Sequence, residues 1–314
     1  MSGTSFAIKS LAAAVLTLGL MASIQAAEVQ VKVTVENVAP QDSISFAPLR
    51  LGFNNGTFDA FNIGQAATMP IISVAEGGSG ASWFPAFASA DPTAVLGTVL
   101  PSSPPIQLLP GESGSAAFTV DTAVNPFFTF AAMVVPSNDF FVGNDSPTRF
   151  RLFDSAGDLL VSSISQRASN IWDAGSEIFN PAAAAFVGDN DLRAPQNSVV
   201  SFNFAELAGF NGLTTSAGYV FNSQLAADTE VYRISFHVTP VPEPESYALM
   251  LTGLIIVGWM ARRRRAIDLS LGAEYRQDAI YVRNLDYLND ILRPSASGSR
   301  HATVATTTQH DLVR

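Results

Sequence analysis

The chain contains no cysteine, which excludes disulfide frameworks, thiolate metal centres, iron–sulfur clusters and cysteine nucleophiles. Histidine is scarce: His237, His301 and His310 are the only three. Zinc chemistry therefore has few nitrogen ligands to draw on, and a bound metal would have to be held by oxygen. Charged residues make up just 14 %, and positive charge is the scarcer sign, with 17 Lys and Arg against 27 Asp and Glu. Between Glu28 and Pro240 the imbalance sharpens to 7 against 19, a net charge of −12. A body that acidic repels phosphate backbones, so no nucleic-acid partner is expected, and it tolerates or needs a cation. What is abundant is apolar: 47 % of the 314 residues are hydrophobic, punctuated by 22 Gly and 18 Pro. That is room for one or two domains and excludes disorder of the whole chain.

The two ends carry addresses. Residues 1–27 read as a secretory signal peptide: Lys9, an apolar run from Leu11 to Met21, and small residues up to cleavage near Ala26 or Ala27. Towards the other end, Val241-Pro242-Glu243-Pro244-Glu245 is followed by an apolar run from Tyr247 to Ala261 and then Arg262, Arg263, Arg264 and Arg265. The prolines stop the preceding strand, the run is about one tilted membrane span, and the arginines hold its end on the cytoplasmic side. Residues 241–265 closely resemble the PEP-CTERM sorting signal of exopolysaccharide-producing Gram-negative bacteria. The resemblance implies recognition at Pro242, Glu243 and Pro244 by an exosortase-type membrane protease, transient inner-membrane anchoring, and release to the cell surface or the extracellular space. Such signals normally end at the basic cluster, whereas residues 266–314 continue as a tail too short to bury a core, read as disordered or part helical.

Between these ends, residues 28–240 read as one all-β domain. Val29, Val31, Val33 and Val35 alternate with polar residues, the signature of a half-buried strand. Further short strands are expected at Ile44–Phe53, Ala116–Val120, Phe127–Val135, Thr148–Phe153, Leu159–Ile164, Ser198–Phe204 and Glu230–Val238, separated by turn sequences such as Asn54-Asn55-Gly56. The count suggests an antiparallel β-sandwich with one or two short helices, near Ile71–Gly77 and Trp83–Ala88. Pro101, Pro104, Pro105 and Pro110 predict an extended surface loop.

Two motifs suggest a family. Val134-Val135-Pro136-Ser137-Asn138-Asp139-Phe140-Phe141-Val142-Gly143-Asn144-Asp145-Ser146 resembles the signature of the spondin N-terminal domain of F-spondin and mindin, and Trp172-Asp173-Ala174-Gly175-Ser176-Glu177 resembles that family's following Asp-Ala-Gly element. The likeness extends loosely from Val29 to Val238. It implies a β-sandwich acting as a calcium-dependent adhesion or ligand-binding module. The implied metal ligands are Asp139, Asp173 and Glu177, with Asp145 as a further ligand. Calcium takes six to eight oxygens, so such carboxylates with backbone carbonyls and waters suit it. The glutamate expected from the strand before the first motif has no counterpart; Glu112 and Asp121 are out of register. Phe140, Phe141 and Trp172 read as core anchors behind the loops.

No catalytic constellation emerges. His237, in the expected last strand, has no nucleophile partner in the sequence pattern. Glu76-Gly77-Gly78-Ser79-Gly80 lacks the Lys and Ser/Thr of a phosphate loop. The favoured reading is a non-enzymatic exported protein whose partner is extracellular polysaccharide or a cell-surface ligand. Two others stay open: a secreted glycan hydrolase using paired carboxylates, nominally Asp154 with Asp158 or Asp189 with Asp191, and a purely structural matrix component.

Overall fold

A computed structural model describes residues 28–104, 106–241, 248–265 and 283. The expected signal peptide, the Pro242-Glu243-Pro244 motif and, apart from residue 283, the tail lie outside the described residues.

The alternating valines form β1 (Glu28–Asn37), whose inward side chains Val31, Val33 and Val35 are fully or nearly fully buried. β1 lies between β5 (Ser113–Asp121) and β12 (Glu230–Pro240), and β12 pairs in turn with β9 (Ser163–Arg167), completing a four-stranded antiparallel sheet. The second sheet is built around β6 (Phe127–Val135), an almost wholly buried strand whose continuous apolar run suits burial on both faces. Its main order is β11 (Ser201–Phe202), β10 (Trp172–Asp173), β7 (Phe140–Gly143), β6, β3 (Leu49–Asn54), β4 (Val95–Val99); β2 (Ser45–Phe46) and β8 (Phe150–Arg151) also pair with β6. Every named pairing is antiparallel.

One apolar cluster draws Val33 and Phe236 from the first sheet together with Leu51, Phe53, Phe128 and Phe130 from the second. The chain from Glu28 to Pro240 is thus mostly β, with two antiparallel sheets on a shared core, consistent with a sandwich. The other face of the larger sheet is covered by α1 (Met69–Gly77) and α2 (Trp83–Ala90), close to where two short helices are expected. Phe58 stacks on Phe87 of α2 with ring centroids 4.1 Å apart and meets Trp83 edge-on at 5.2 Å. Each such aromatic pair adds about 0.5–1.5 kcal/mol beyond the area it buries. α2 can approach this closely because β3 carries Gly52, where a Cβ would sit 2.5 Å from the Phe87 ring.

Several strands depart from expectation for local reasons. The strand expected at Leu159–Ile164 forms instead at Ser163–Arg167, because residues 154–160 close a turn in which Leu160 N–H donates to the Leu152 carbonyl at 2.7 Å. Those expected at Thr148–Phe153 and Ser198–Phe204 shrink to two residues each. β4, β7 and β10 have no alternating strand signal in the sequence; they are short, and pairing within the sheet sustains them rather than alternation of their own. In the proline-rich segment Leu108 turns inward, and its N–H and carbonyl both bond to Phe46.

Residues 248–265 are helical, with Arg262 to Arg265 at the end of the described stretch. Its apolar portion, residues 248–261, is about 21 Å long at 1.5 Å per residue. No described helix is long and apolar enough to cross a membrane.

Candidate cation cavity

The turn that leaves β6 is fixed by its own side chains. Ser137 Oγ donates to the Val134 carbonyl at 2.6 Å and accepts from the Phe140 N–H at 3.1 Å. Asn138 reaches across to a neighbouring loop: its Nδ2 donates to the Asn180 carbonyl and to Glu177 Oε1, each at 3.2 Å, and its Oδ1 accepts from the Asn180 N–H. β7 then pairs with β10, with Phe140 opposite Asp173 and Phe141 opposite Trp172. The two motifs, far apart in sequence, therefore become adjacent strands.

This pairing brings Asp139, Asp173 and Glu177 to one place. Asp139 is 2 % exposed, and its Oδ2 accepts from the backbone N–H groups of Ser176 at 2.7 Å and Glu177 at 2.9 Å and from Ser176 Oγ at 3.2 Å. Asp173, 8 % exposed, accepts from Gly175 N–H at 2.7 Å and from Asn203 Nδ2 at 3.2 Å. Gly175 is required there: its φ is +64°, and a Cβ would fall 2.8 Å from the Val199 carbonyl oxygen. Glu177, 4 % exposed, has Oε1 within 3.6 Å of Arg193 Nε and bonded to Asn138, while its Oε2 is buried with no hydrogen-bond partner.

A fourth carboxylate joins them. Glu206, in the 3-10 turn Phe204–Phe210, bonds through Oε2 to the same Asn203 Nδ2 that bonds Asp173. All four carboxylates line one small cavity of about 10 Å³, room for about one water molecule. Glu206 was not anticipated from sequence, although Asn203-Phe204-Ala205-Glu206 has the Asn-x-x-Glu spacing that marks a helical start. Asp145 lies elsewhere, past the end of β7 in the lining of a different cleft.

The electrostatics favour a positive guest. Burial, aided by the charge of Asp173, pushes the Asp139 carboxyl up to about 7 despite three hydrogen bonds that favour its ionised form. Burial also raises Glu177, with Arg193 opposing, and burial together with Asp173 raises Glu206. Among the described residues no ion pair reaches Asp139, Asp173 or Glu206. The donors are all hard oxygens, and one of them, Glu177 Oε2, is an orphaned buried acceptor, which suits an oxygen-seeking cation. The oxygens do not converge on a single point: among the described residues no three His, Asp or Glu side chains are drawn together into a metal-ligating group. Asp139 Oδ2 and Asp173 Oδ1 are turned toward backbone N–H donors.

The nominal hydrolytic pairs have local roles. Asp154 Oδ1 accepts from the N–H groups of Ala156 and Asp158, and Asp189 Oδ1 accepts from Asp191 N–H, so both close turns. In the run Glu76 to Gly80, the N–H groups of Gly78 and Ser79 go to carbonyls at the end of α1. His237 is exposed on β12, opposite Lys32.

No protein-family model matches the chain, and no curated protein is significantly similar to it.

Proposed function

We propose that this chain is an exported protein of the bacterial cell surface or extracellular matrix whose β-sandwich domain, resembling the spondin N-terminal domain, is a calcium-dependent adhesion or ligand-binding module. The observation that carries the reading is that Asp139, Asp173 and Glu177, from two separate motifs, line one cavity together with Glu206. These four side chains would hold the ion. An ion held there would supply positive charge between the turn before β7, the loop after β10 and the 3-10 turn carrying Glu206. Asn138, Asn203 and Ser176 orient the carboxylates through hydrogen bonds. The role is structural ordering of loops, so a ligand surface borne on them is firm only when the ion is present.

Export rests on the sequence of residues 1–27, and sorting on Pro242, Glu243 and Pro244, the apolar run and Arg262 to Arg265. The processing partner is an exosortase-type protease, with the C-terminal helix as a transient membrane hold. Replacing Pro242 and Glu243 by alanine leaves an unprocessed, membrane-held form on an immunoblot; normal processing of that variant contradicts the sorting reading. For the cavity, calorimetric titration of the purified full chain with calcium gives one saturable site that is lost in Asp139→Asn and Glu206→Gln. Unchanged affinity in both variants contradicts it.

A further inference from the structure

A second cavity lies apart from the acidic one. A cleft of about 490 Å³ opens between the free edges of the two sheets, where β9, the end strand of the smaller sheet, faces β10 and β11 at the end of the larger. Its volume falls in the range of small-molecule sites. β10 is a wall shared with the acidic cavity: Asp173 lines one and Trp172 the other.

Three observations define what the cleft can hold. The first is an apolar platform. Phe202 of β11 is 47 % exposed and stacks on Trp172 with centroids 3.8 Å apart, and the Trp172 indole is anchored by Nε1–H donating to the Gly143 carbonyl at 3.2 Å. A stacked pair held at its base presents a ring face that moves little, with the half-exposed Ile63 beside it.

The second is a set of polar groups without partners. Gln166 is only 6 % exposed, yet its amide oxygen accepts no hydrogen bond among the described residues, and its Nε2 makes a single long contact of 3.3 Å to the Ser165 carbonyl. On β9 the bond from Phe236 N–H to the Ser162 carbonyl fixes the ladder, so Ile164 and Gln166 bond toward β12 while the backbone groups of Ser163 and Ser165 point away from it. This free edge is too broken to accept another strand. The Ser165 carbonyl is taken by Gln166, and the Arg167 N–H is taken by Asn170 Oδ1 at 3.0 Å. What remains is the N–H and carbonyl of Ser163 and the N–H of Ser165, a short array of mixed donors and acceptors.

The third is charge balance. Arg149 and Asp145 both line the cleft, and neither forms an ion pair among the described residues, so one positive and one negative group cancel. The strongly negative surroundings disfavour a polyanion.

An apolar ring face beside scattered neutral donors and acceptors is the complement of a molecule with apolar C–H faces and many hydroxyl groups. We propose that this cleft binds a segment of neutral oligosaccharide, one sugar ring lying on Phe202 and the hydroxyls of the segment bonding to Gln166, the free edge of β9, Asp145 and Arg149. The proposal rests on the reading of the domain as an exported ligand-binding module and supplies the ligand class and the place where it binds.

The test is binding of the purified full chain, in calcium, to an array of neutral gluco-, galacto- and manno-tetrasaccharides alongside uronate and sulfated tetrasaccharides, followed by titration with the best neutral probe. The expected result is binding of at least one neutral tetrasaccharide, weakened about tenfold or more in Phe202→Ala, which is about 1.4 kcal/mol. Phe202→Tyr restores it, and Phe186→Ala, an exposed aromatic that does not line the cleft, leaves it unchanged. Binding confined to the anionic probes, binding equal in Phe202→Ala, or no binding of any neutral probe overturns the proposal. Calcium titration of the same samples separates the two readings: a calcium site without sugar binding removes the cleft alone, and sugar binding without a calcium site removes the cation reading alone.

Discussion

Trp172 and Asp173 are adjacent in a two-residue strand, and their side chains serve two unlike cavities. On the Asp173 side four carboxylates surround space for about one water molecule; on the Trp172 side an open cleft of about 490 Å³ mixes rings, amides, hydroxyls and one charge of each sign. The small cavity concentrates charge of one sign, the setting for the proposed cation. The large one dilutes charge, the setting for the proposed neutral ligand. Because one short strand walls both, a cation held at Asp173 would also steady the base of the ring platform, a physical route that would link the two proposed sites.

The largest effect tests that shared wall. Trp172→Ala removes a buried side chain in contact with Phe61, Phe141 and Phe202 and should cost about 3–5 kcal/mol in urea unfolding. In the fraction that stays folded, both calcium and sugar affinities fall; loss of one without the other would show the cavities to be independent. Asp173→Ala should separate them by function, abolishing the calcium-dependent rise in melting temperature while sugar binding measured in chelator stays at its wild-type level in chelator.

Protons sharpen the contrast further. The folded-state value for Asp139 lies near 7, against 3.8 for the free side chain, so without the ion the folded form binds the extra proton between these values. Stability from this group is therefore fully present below about 3.8 and is lost as pH rises toward about 7. In chelator the contribution of Asp139, read as the difference between wild type and Asp139→Asn, should decline across that window, and in calcium the decline should flatten. A flat difference in both media would count against a buried Asp139 carboxyl. The smallest effect belongs to Asn203, which touches Asp173 and Glu206 without lining the cavity. Asn203→Ala should weaken calcium about tenfold, the low end for a residue that orients ligands through hydrogen bonds, and leave sugar titration unchanged.

The two cavities also differ in how far the sequence discloses them. Asp139, Asp173 and Glu177 sit in compact motifs, so their grouping could be anticipated once the motifs were taken to be neighbours. Glu206 comes from a separate turn, and only tertiary folding brings Asn203 between it and Asp173. The cleft was not legible, because it is assembled from Ile63, Asp145, Gln166 and Phe202 on four distant segments, and neither the motif that holds Asp145 nor the expected strand that holds Phe202 points to the others. The same contrast runs through the fold. β1, β6 and β12 announce themselves by alternation or by a long apolar run, whereas β10 is two residues long and exists because β7 and β11 flank it. β9 was displaced because its polar sequence Ser-Ile-Ser-Gln-Arg hides a strand, while the apolar pair Leu159 and Leu160 belongs to a turn.

The most direct test of the central claim is thermal melting of the purified full chain in calcium and in chelator, beside Asp139→Asn. With calcium at about one hundred times its dissociation constant, linkage predicts about 2.7 kcal/mol of stabilisation and a rise of about 5–10 °C, absent in the variant. Equal melting temperatures of the wild type in calcium and in chelator would contradict the cation site and leave the four carboxylates as elements of the fold alone.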